Sequence, residues 1–275
     1  MISERRHPHF FSEKTFPDNI TFLRTISDIL PAIDLIILII PNQFIKSAIS
    51  EIRTYLKPGV IFLNLSKWID NTTLRTVSDT LRDELGNFSY YYAVLSWGMI
   101  ASELFLWKPL WAQIGISDKS ISLPLKELFQ SDTLDIKVSD TYKNIELFGA
   151  LKNIFALYVW YLEWRGHGYS TIGYHFTRLW KDFEKLIVLL GGMDDLDFSQ
   201  YALGGDMIAT CFGNSRNRYL GTLIWSGRSL TEGLEILKIE KKHAEWYETL
   251  KGIKNYISWK GVFPELERVI SLFLS

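Results

Sequence analysis

The stretch Asp34-Leu-Ile-Ile-Leu-Ile-Ile-Pro41 decides the fold. It is a short unbroken apolar run rich in β-branched side chains and stopped by proline, the pattern of a strand buried on both faces and so of a parallel sheet. Working outward, Phe44, Ile45, Ala48, Ile49 and Ile52 recur at helical spacing, Lys57-Pro-Gly59 breaks that helix, and Val60-Ile-Phe-Leu-Asn-Leu65 supplies a second strand. Strand, helix, strand is a βαβ unit. The alternation continues with a helix over 70–85, a strand over 90–95, a helix over 123–129 and a strand over 135–138.

From Tyr142 the period changes. Apolar-periodic segments over 144–163, 171–190, 197–210, 229–234, 244–256 and 265–274 predict helices, with few strand signals between them. The expected fold class is α/β plus all-α: an incomplete Rossmann-type dinucleotide-binding domain over residues 1–139, then a helical catalytic or substrate domain over residues 140–275. It is incomplete because such a domain normally opens with a strand running into G-x-G-x-x-G, and that turn does not occur before residue 34. On this reading the start is truncated, and the chain should bind a dinucleotide poorly for want of its pyrophosphate cradle.

Composition narrows the function classes. With Lys+Arg 30 against Asp+Glu 31 the net charge is -1, so there is no polyelectrolyte signature for nucleic acid or an anionic membrane, and any anionic ligand must be held by a local site. A single cysteine, Cys211, excludes an internal disulfide, and five scattered histidines argue against a metal site. A cytoplasmic setting is expected. The run Leu35 to Ile40 is far short of the roughly 20 residues of a membrane helix, and Arg5-Arg6-His7 precedes no apolar signal core, so no membrane insertion is expected.

Two clusters carry chemistry. Glu146-Leu-Phe-Gly-Ala-Leu-Lys152-Asn153 sets a lysine and an amide in an apolar helix, where Lys152 is either an inward, paired, functional group or an outward, snorkelling one. Gly204-Gly-Asp206-Met-Ile-Ala-Thr210-Cys is followed by Ser215-Arg216-Asn217. Asp206 and Thr210 share a helix face, and the three consecutive donors at 215–217 suit an oxyanion such as phosphate, unless they form only a solvated loop.

Taken together, Gly149-Ala-Leu-Lys-Asn153, Asp206, Thr210-Cys211 and Ser215-Arg-Asn217 closely resemble the signature of the NAD(P)-dependent glycerol-3-phosphate dehydrogenases, in order and approximate separation. The segments Ile40-Pro-Asn-Gln-Phe44, Ser66-Lys67, Ile100-Ala-Ser-Glu103, Leu125-Lys-Glu-Leu-Phe129, Glu248-Thr-Leu-Lys251 and residues 5–20 resemble family text as well, so the resemblance covers essentially the whole chain. It implies an oxidoreductase of the bacterial type, using NAD or NADP to interconvert dihydroxyacetone phosphate and sn-glycerol 3-phosphate for phospholipid synthesis. Lys152 would be the general acid/base, with Lys67 as the cation that lowers its pKa and Asp206 as the group that orients it. Arg216 and Asn217, with Ser215, Thr210 and Asn153, would hold the substrate phosphate. Phe44 and Ala101 would line the nicotinamide side together with Lys67 and Arg216, and Glu245 would approach the cofactor ribose. The rival readings are a noncatalytic relative or fragment that retains only phosphate binding, and another two-domain dehydrogenase acting on a 3-hydroxy or 6-phospho acid, which would not combine both signature motifs. A homodimer is compatible with the resemblance; oligomeric state and the choice between NADH and NADPH are not legible.

One departure stands out. Trp68, Trp97, Trp107, Trp160, Trp164, Trp225 and Trp246, seven of the ten tryptophans, stand where the family pattern has glycine. Independent drift would scatter over many residue types, so the expectation is UGA codons read here as tryptophan and in the source organism as glycine, with a genuine pseudoenzyme as the alternative. Several of the seven indoles should crowd the cleft or sit on unfavourable backbone, above all Trp97 and Trp164.

Overall fold

The computed structural model describes residues 5–7, 12–67, 69–97, 101–194, 196–213, 220, 228, 230–239, 245–258 and 260–274. A five-stranded sheet runs in the order β1 (Leu35–Leu38), β2 (Val60–Asn64), β3 (Tyr90–Trp97), β4 (Leu110–Ile116), β5 (Leu134–Ser139). The three strands β1 to β3 are parallel, as the apolar runs predict, and β4 and β5 are parallel to each other. The β3 to β4 pairing is antiparallel. Strand β4, Leu-Trp-Ala-Gln-Ile-Gly-Ile, was not anticipated, because Gln113 and Gly115 interrupt its apolar run. Gly115 is required there: a Cβ would come within 2.5 Å of the Tyr142 Cα.

Alternation along the strands assigns each side chain to a face. Phe62, Tyr92 and Val94 face one core, shared with α1 (Ile45–Ile52) and α2 (Val77–Leu85), while Leu63, Ala93 and Leu95 face a second core closed by α4 (Ser122–Phe129) through Ile121 and Leu125. By the same period Asn64 and Ser96, at the ends of β2 and β3, belong to the first face. That face is covered by α5 (Tyr142–Leu151), so the first core continues without a break into the helical half.

The helical half is α5, α6 (Asn153–Trp164), α7 (Tyr169–Leu189), α8 (Asp206–Phe212) and the helices Leu230–Ile239, Glu245–Ile257 and Pro264–Leu274. The single helix expected over 144–163 is interrupted at Lys152, whose carbonyl accepts Phe155 N–H at 3.0 Å in a tightened turn. Tyr142–Trp164 is long and apolar enough to cross a membrane, but 89% of the 18-residue apolar window within it is buried inside the fold as a core element. The helix expected over 70–85 begins only at Val77. Asp70 Oδ1 accepts the N–H groups of Thr72 and Thr73 and holds a turn instead, and Thr76 with Asp79 forms a capping box. In the segment expected as a helix over 197–210, Asp197 to Gln200 form a turn and Tyr201–Gly205 a π-helical turn, so the α-helix starts at Asp206.

The tryptophans divide. The short helix α3 (Ala101–Phe105) ends with Lys108 N–H on Glu103 O and Trp107 N–H on Leu104 O, a Schellman motif whose left-handed position is Trp107, at φ 55°. Helix α6 ends in the same motif with Gly166, at φ 77°, in that position. Trp246 is buried, and its indole N–H has no hydrogen-bond partner among the described residues. Trp160 is buried and stacks on half-exposed Trp164 with rings 14° apart, and neither residue lies on left-handed backbone. Trp68, Trp225 and the side chain of Trp97 lie outside the described residues.

Trp107 is 77% exposed, so replacing it loses little packing. Trp107→Gly should therefore raise stability by about 0.5–1 kcal/mol, relief of the left-handed backbone outweighing the added freedom of the unfolded chain. Equilibrium urea unfolding measures this, and a loss of stability would count against a glycine-type position.

Candidate active site

Three elements deliver three charged side chains to one point. Lys67 leaves the loop after β2, Lys152 stands at the junction of α5 and α6, and Asp206 is the first residue of α8. Lys152 is 5% exposed and Asp206 2%. The Lys152 ammonium pairs with Asp206 Oδ1 and donates to Thr210 Oγ1 at 3.0 Å, while Lys67 Nζ donates to Asp206 Oδ2 at 3.0 Å. One buried carboxylate thus holds two ammonium groups, one on each oxygen.

The backbone that aims Asp206 is built around close approach. A Cβ on Gly204 would overlap the carbonyl oxygen of Phe198, and one on Gly205 would meet the Trp111 ring at 2.8 Å, so only glycines let the π-helical turn lie against β4. Gln113 of β4 anchors that turn. Its Oε1 accepts Ala202 N–H at 3.1 Å and its Nε2 donates to Gln200 at 3.0 Å. The unanticipated strand is what positions Asp206.

Electrostatics follow from burial. Desolvation, then the neighbouring Lys67 ammonium, lowers the pKa of Lys152 to about 8, while Asp206 pulls the other way. A buried amine that loses its proton near neutral pH can give and take a proton at a substrate oxygen. Cys211, one residue beyond Thr210, is not a second reactive group: burial pushes its thiol up to about 12.

Of the residues singled out by sequence, Lys67, Lys152, Asp206 and Thr210 meet, which settles the inward orientation of Lys152. Asn153 follows at the start of α6, half-buried. Phe44, 52% exposed, ends the turn after β1, and Ser66 Oγ donates to Ile40 O at 3.0 Å, tying the Lys67 loop to that strand end. Ala101 opens α3 and Glu245 opens the helix Glu245–Ile257, but their side chains lie outside the described residues. Ser215, Arg216 and Asn217 also lie outside them. Sequence reasoning missed the buried Asn64 and gave Glu146 no role; the available signal was a polar residue in each of two otherwise apolar runs.

Residues 1–122 match the sequence model of the NAD-dependent glycerol-3-phosphate dehydrogenase N-terminus, and residues 142–273 that of the C-terminus. The chain belongs to the NAD-dependent glycerol-3-phosphate dehydrogenase family. Among members of that family it is 30% identical over 224 residues to the chloroplastic glycerol-3-phosphate dehydrogenase [NAD(+)] of Oryza sativa, a match covering 81% of this chain and 51% of that protein. It is 28% identical over 220 residues to the glycerol-3-phosphate dehydrogenase [NAD(P)+] of Fusobacterium nucleatum, covering 80% and 65%. The chain thus spans from about half to just under two thirds of these curated relatives. Its fold is that of the crystal structure of glycerol-3-phosphate dehydrogenase from Coxiella burnetii, with TM-score 0.83, 19% identity, and coverage of 99% of this chain and 82% of that one.

The shared carboxylate fixes the sign of two substitutions. Asp206→Asn removes the charge that favours the ammonium, so Lys152 should deprotonate below its present value of about 8, and Lys67→Met should move it upward by removing a like charge. NMR titration of the lysine Nζ and Cε resonances reads both, with Lys152 assigned by its absence in Lys152→Met. Shifts of the same sign would mean that the two groups do not act on Lys152 as described.

Proposed function

We propose that this chain carries the catalytic residues of an NAD(P)-dependent glycerol-3-phosphate dehydrogenase that interconverts dihydroxyacetone phosphate and sn-glycerol 3-phosphate. The observation that carries the reading is the buried Lys152 with its pKa lowered to about 8, paired to Asp206 within reach of Lys67. Residues 1–139 would serve the cofactor and residues 140–275 the substrate. A noncatalytic relative that kept only phosphate binding would have no need of a desolvated lysine held beside a like charge, so the cluster favours the enzyme.

For the cofactor, the parallel strands β1 to β3 end on one side of the sheet, and Phe44, Lys67 and the backbone of Ala101 follow those ends, where a nicotinamide fits an α/β sheet. A bound NAD(P)H supplies the hydride. Lys152 then supplies the proton. Two of its three N–H groups go to Asp206 and Thr210, and the third is aimed by them at the ketone oxygen, the alkoxide that develops there being stabilised by Lys67. Asp206 keeps both ammonium groups in place and limits their repulsion. Arg216, Asn217 and Ser215 would hold the phosphate, with Thr210 and Asn153 nearby, so that binding energy remote from the reacting carbon orients it. The buried free thiol of Cys211 accords with a cytoplasmic reaction, and glycerol 3-phosphate with a supply to phospholipid synthesis.

Binding of dihydroxyacetone phosphate and glycerol 3-phosphate by calorimetry, and dihydroxyacetone phosphate-dependent oxidation of NADH or NADPH, test the reading. In a protein of its relatives' full length with glycine at the seven tryptophan positions, Lys152→Ala should lower turnover by about 10²–10⁴-fold while cofactor affinity stays nearly unchanged, the signature of a lost acid/base. Arg216→Ala should instead weaken binding of the phosphate, by about 2–5 kcal/mol if that charge pair is buried. A protein that binds neither triose phosphate nor glycerol 3-phosphate would sink the proposal.

A further inference from the structure

Strand β2 ends on a buried amide that touches neither substrate nor cofactor in the chemistry above. Asn64 is fully buried; its Oδ1 accepts Ser66 N–H at 2.9 Å and its Nδ2 donates back to Ser66 O at 3.2 Å, so one side chain clasps the backbone of the residue next to Lys67. The same Nδ2 reaches Glu146 Oε1 at 3.5 Å. The orientation is forced, because a backbone N–H can only donate and a carboxylate can only accept. An aspartate at this position would set two carboxylates against each other.

Glu146 is equally out of place in the apolar helix α5. Its carboxylate is 3% exposed and gathers Ser78 N–H at 3.0 Å, Ser78 Oγ at 2.6 Å and the Tyr92 hydroxyl at 2.6 Å, which fixes it between β3 and the first turn of α2. A buried carboxylate is tolerated only when its oxygens are satisfied, and the donors here come from three separate elements. Helix α5 carries Glu146 near its start and delivers Lys152 at its end. The path Lys67, Ser66, Asn64, Glu146 therefore ties the loop that bears one lysine to the helix that bears the other.

We propose that Asn64 and Glu146 are positioning residues that fix the separation of the Lys67 and Lys152 ammonium groups across Asp206. The inference rests on the proposed function only in treating Lys152 as the proton-transferring group, since the geometry exists without substrate. Among the described residues, the charged and titratable groups facing Lys152 are Lys67 from the loop after β2 and Asp206 and Cys211 from α8, and Glu163 of α6 acts in turn on Cys211. Of these, only Lys67 is held by Asn64. Releasing Ser66 lets the Lys67 loop move and weakens the repulsion that helps Lys152 lose its proton.

The test is the NMR titration of Lys152 in ligand-free protein. At pH 8 wild-type Lys152 should be about half neutral. Asn64→Ala should reduce that neutral fraction several-fold, toward the value of Lys67→Met. Glu146→Gln, which keeps an acceptor oxygen for Asn64 and Ser78, should leave the titration near wild type, whereas Glu146→Leu should follow Asn64→Ala. If Asn64→Ala does not fold, the milder Asn64→Ser takes its place. A folded Asn64 variant that melts at a lower temperature but titrates Lys152 as wild type does overturns the proposal, because a merely structural role predicts that result. Binding of dihydroxyacetone phosphate and glycerol 3-phosphate measured on the same samples tests the functional reading separately: wild-type protein that binds neither sinks that reading, while the titration still decides the role of Asn64 and Glu146.

Discussion

Two ammonium groups share one carboxylate, and most of what surrounds them exists to make that arrangement tolerable. Taking Lys152 and Asp206 out of water is expensive, and in isolation such a pair is poor value for stability. Lys67 adds a second positive charge to the same oxygen pair. A site that concentrates charge in this way is expected where one of the groups must change protonation state, and the lowered pKa of Lys152 is the physical consequence.

The constraint explains features that the fold alone does not require. Gly204 and Gly205 are needed because the turn that presents Asp206 lies directly against Phe198 and Trp111. Gln113, a buried amide in the middle of a sheet, is satisfied by that turn and anchors it. Asn64 and Glu146 do the equivalent on the Lys67 side. In each case a polar side chain in an apolar element finds all its partners, which is why the element tolerates it.

The tryptophans show how the backbone can disagree with the side chain. Trp107 occupies the left-handed position of a helix-ending motif that the same protein fills with Gly166 elsewhere, and Trp246 buries an indole N–H that has no partner among the described residues. The left-handed backbone at Trp107 is what a glycine position looks like when a large residue stands in it. Trp160 and Trp164, by contrast, stack on one another and lie on backbone that any residue adopts.

The sequence by itself determined the βαβ start, the change to helices near residue 142, and the residue types of the site, because hydrophobic period and motif spacing are local properties of the chain. It also placed Asp206 and Thr210 on one helix face. It did not reveal β4, whose pattern is broken by a glutamine and a glycine that make sense only against α5 and the turn before Asp206. Nor could it decide whether Lys152 points inward, since an amphipathic lysine on an apolar helix has two acceptable environments. The tertiary structure decided that by bringing Asp206, 54 positions away in the chain, onto its ammonium, and Lys67 onto the other oxygen. Local pattern fixes which elements form; which buried polar group is paired depends on contacts between elements far apart in sequence, and only the packed chain contains them.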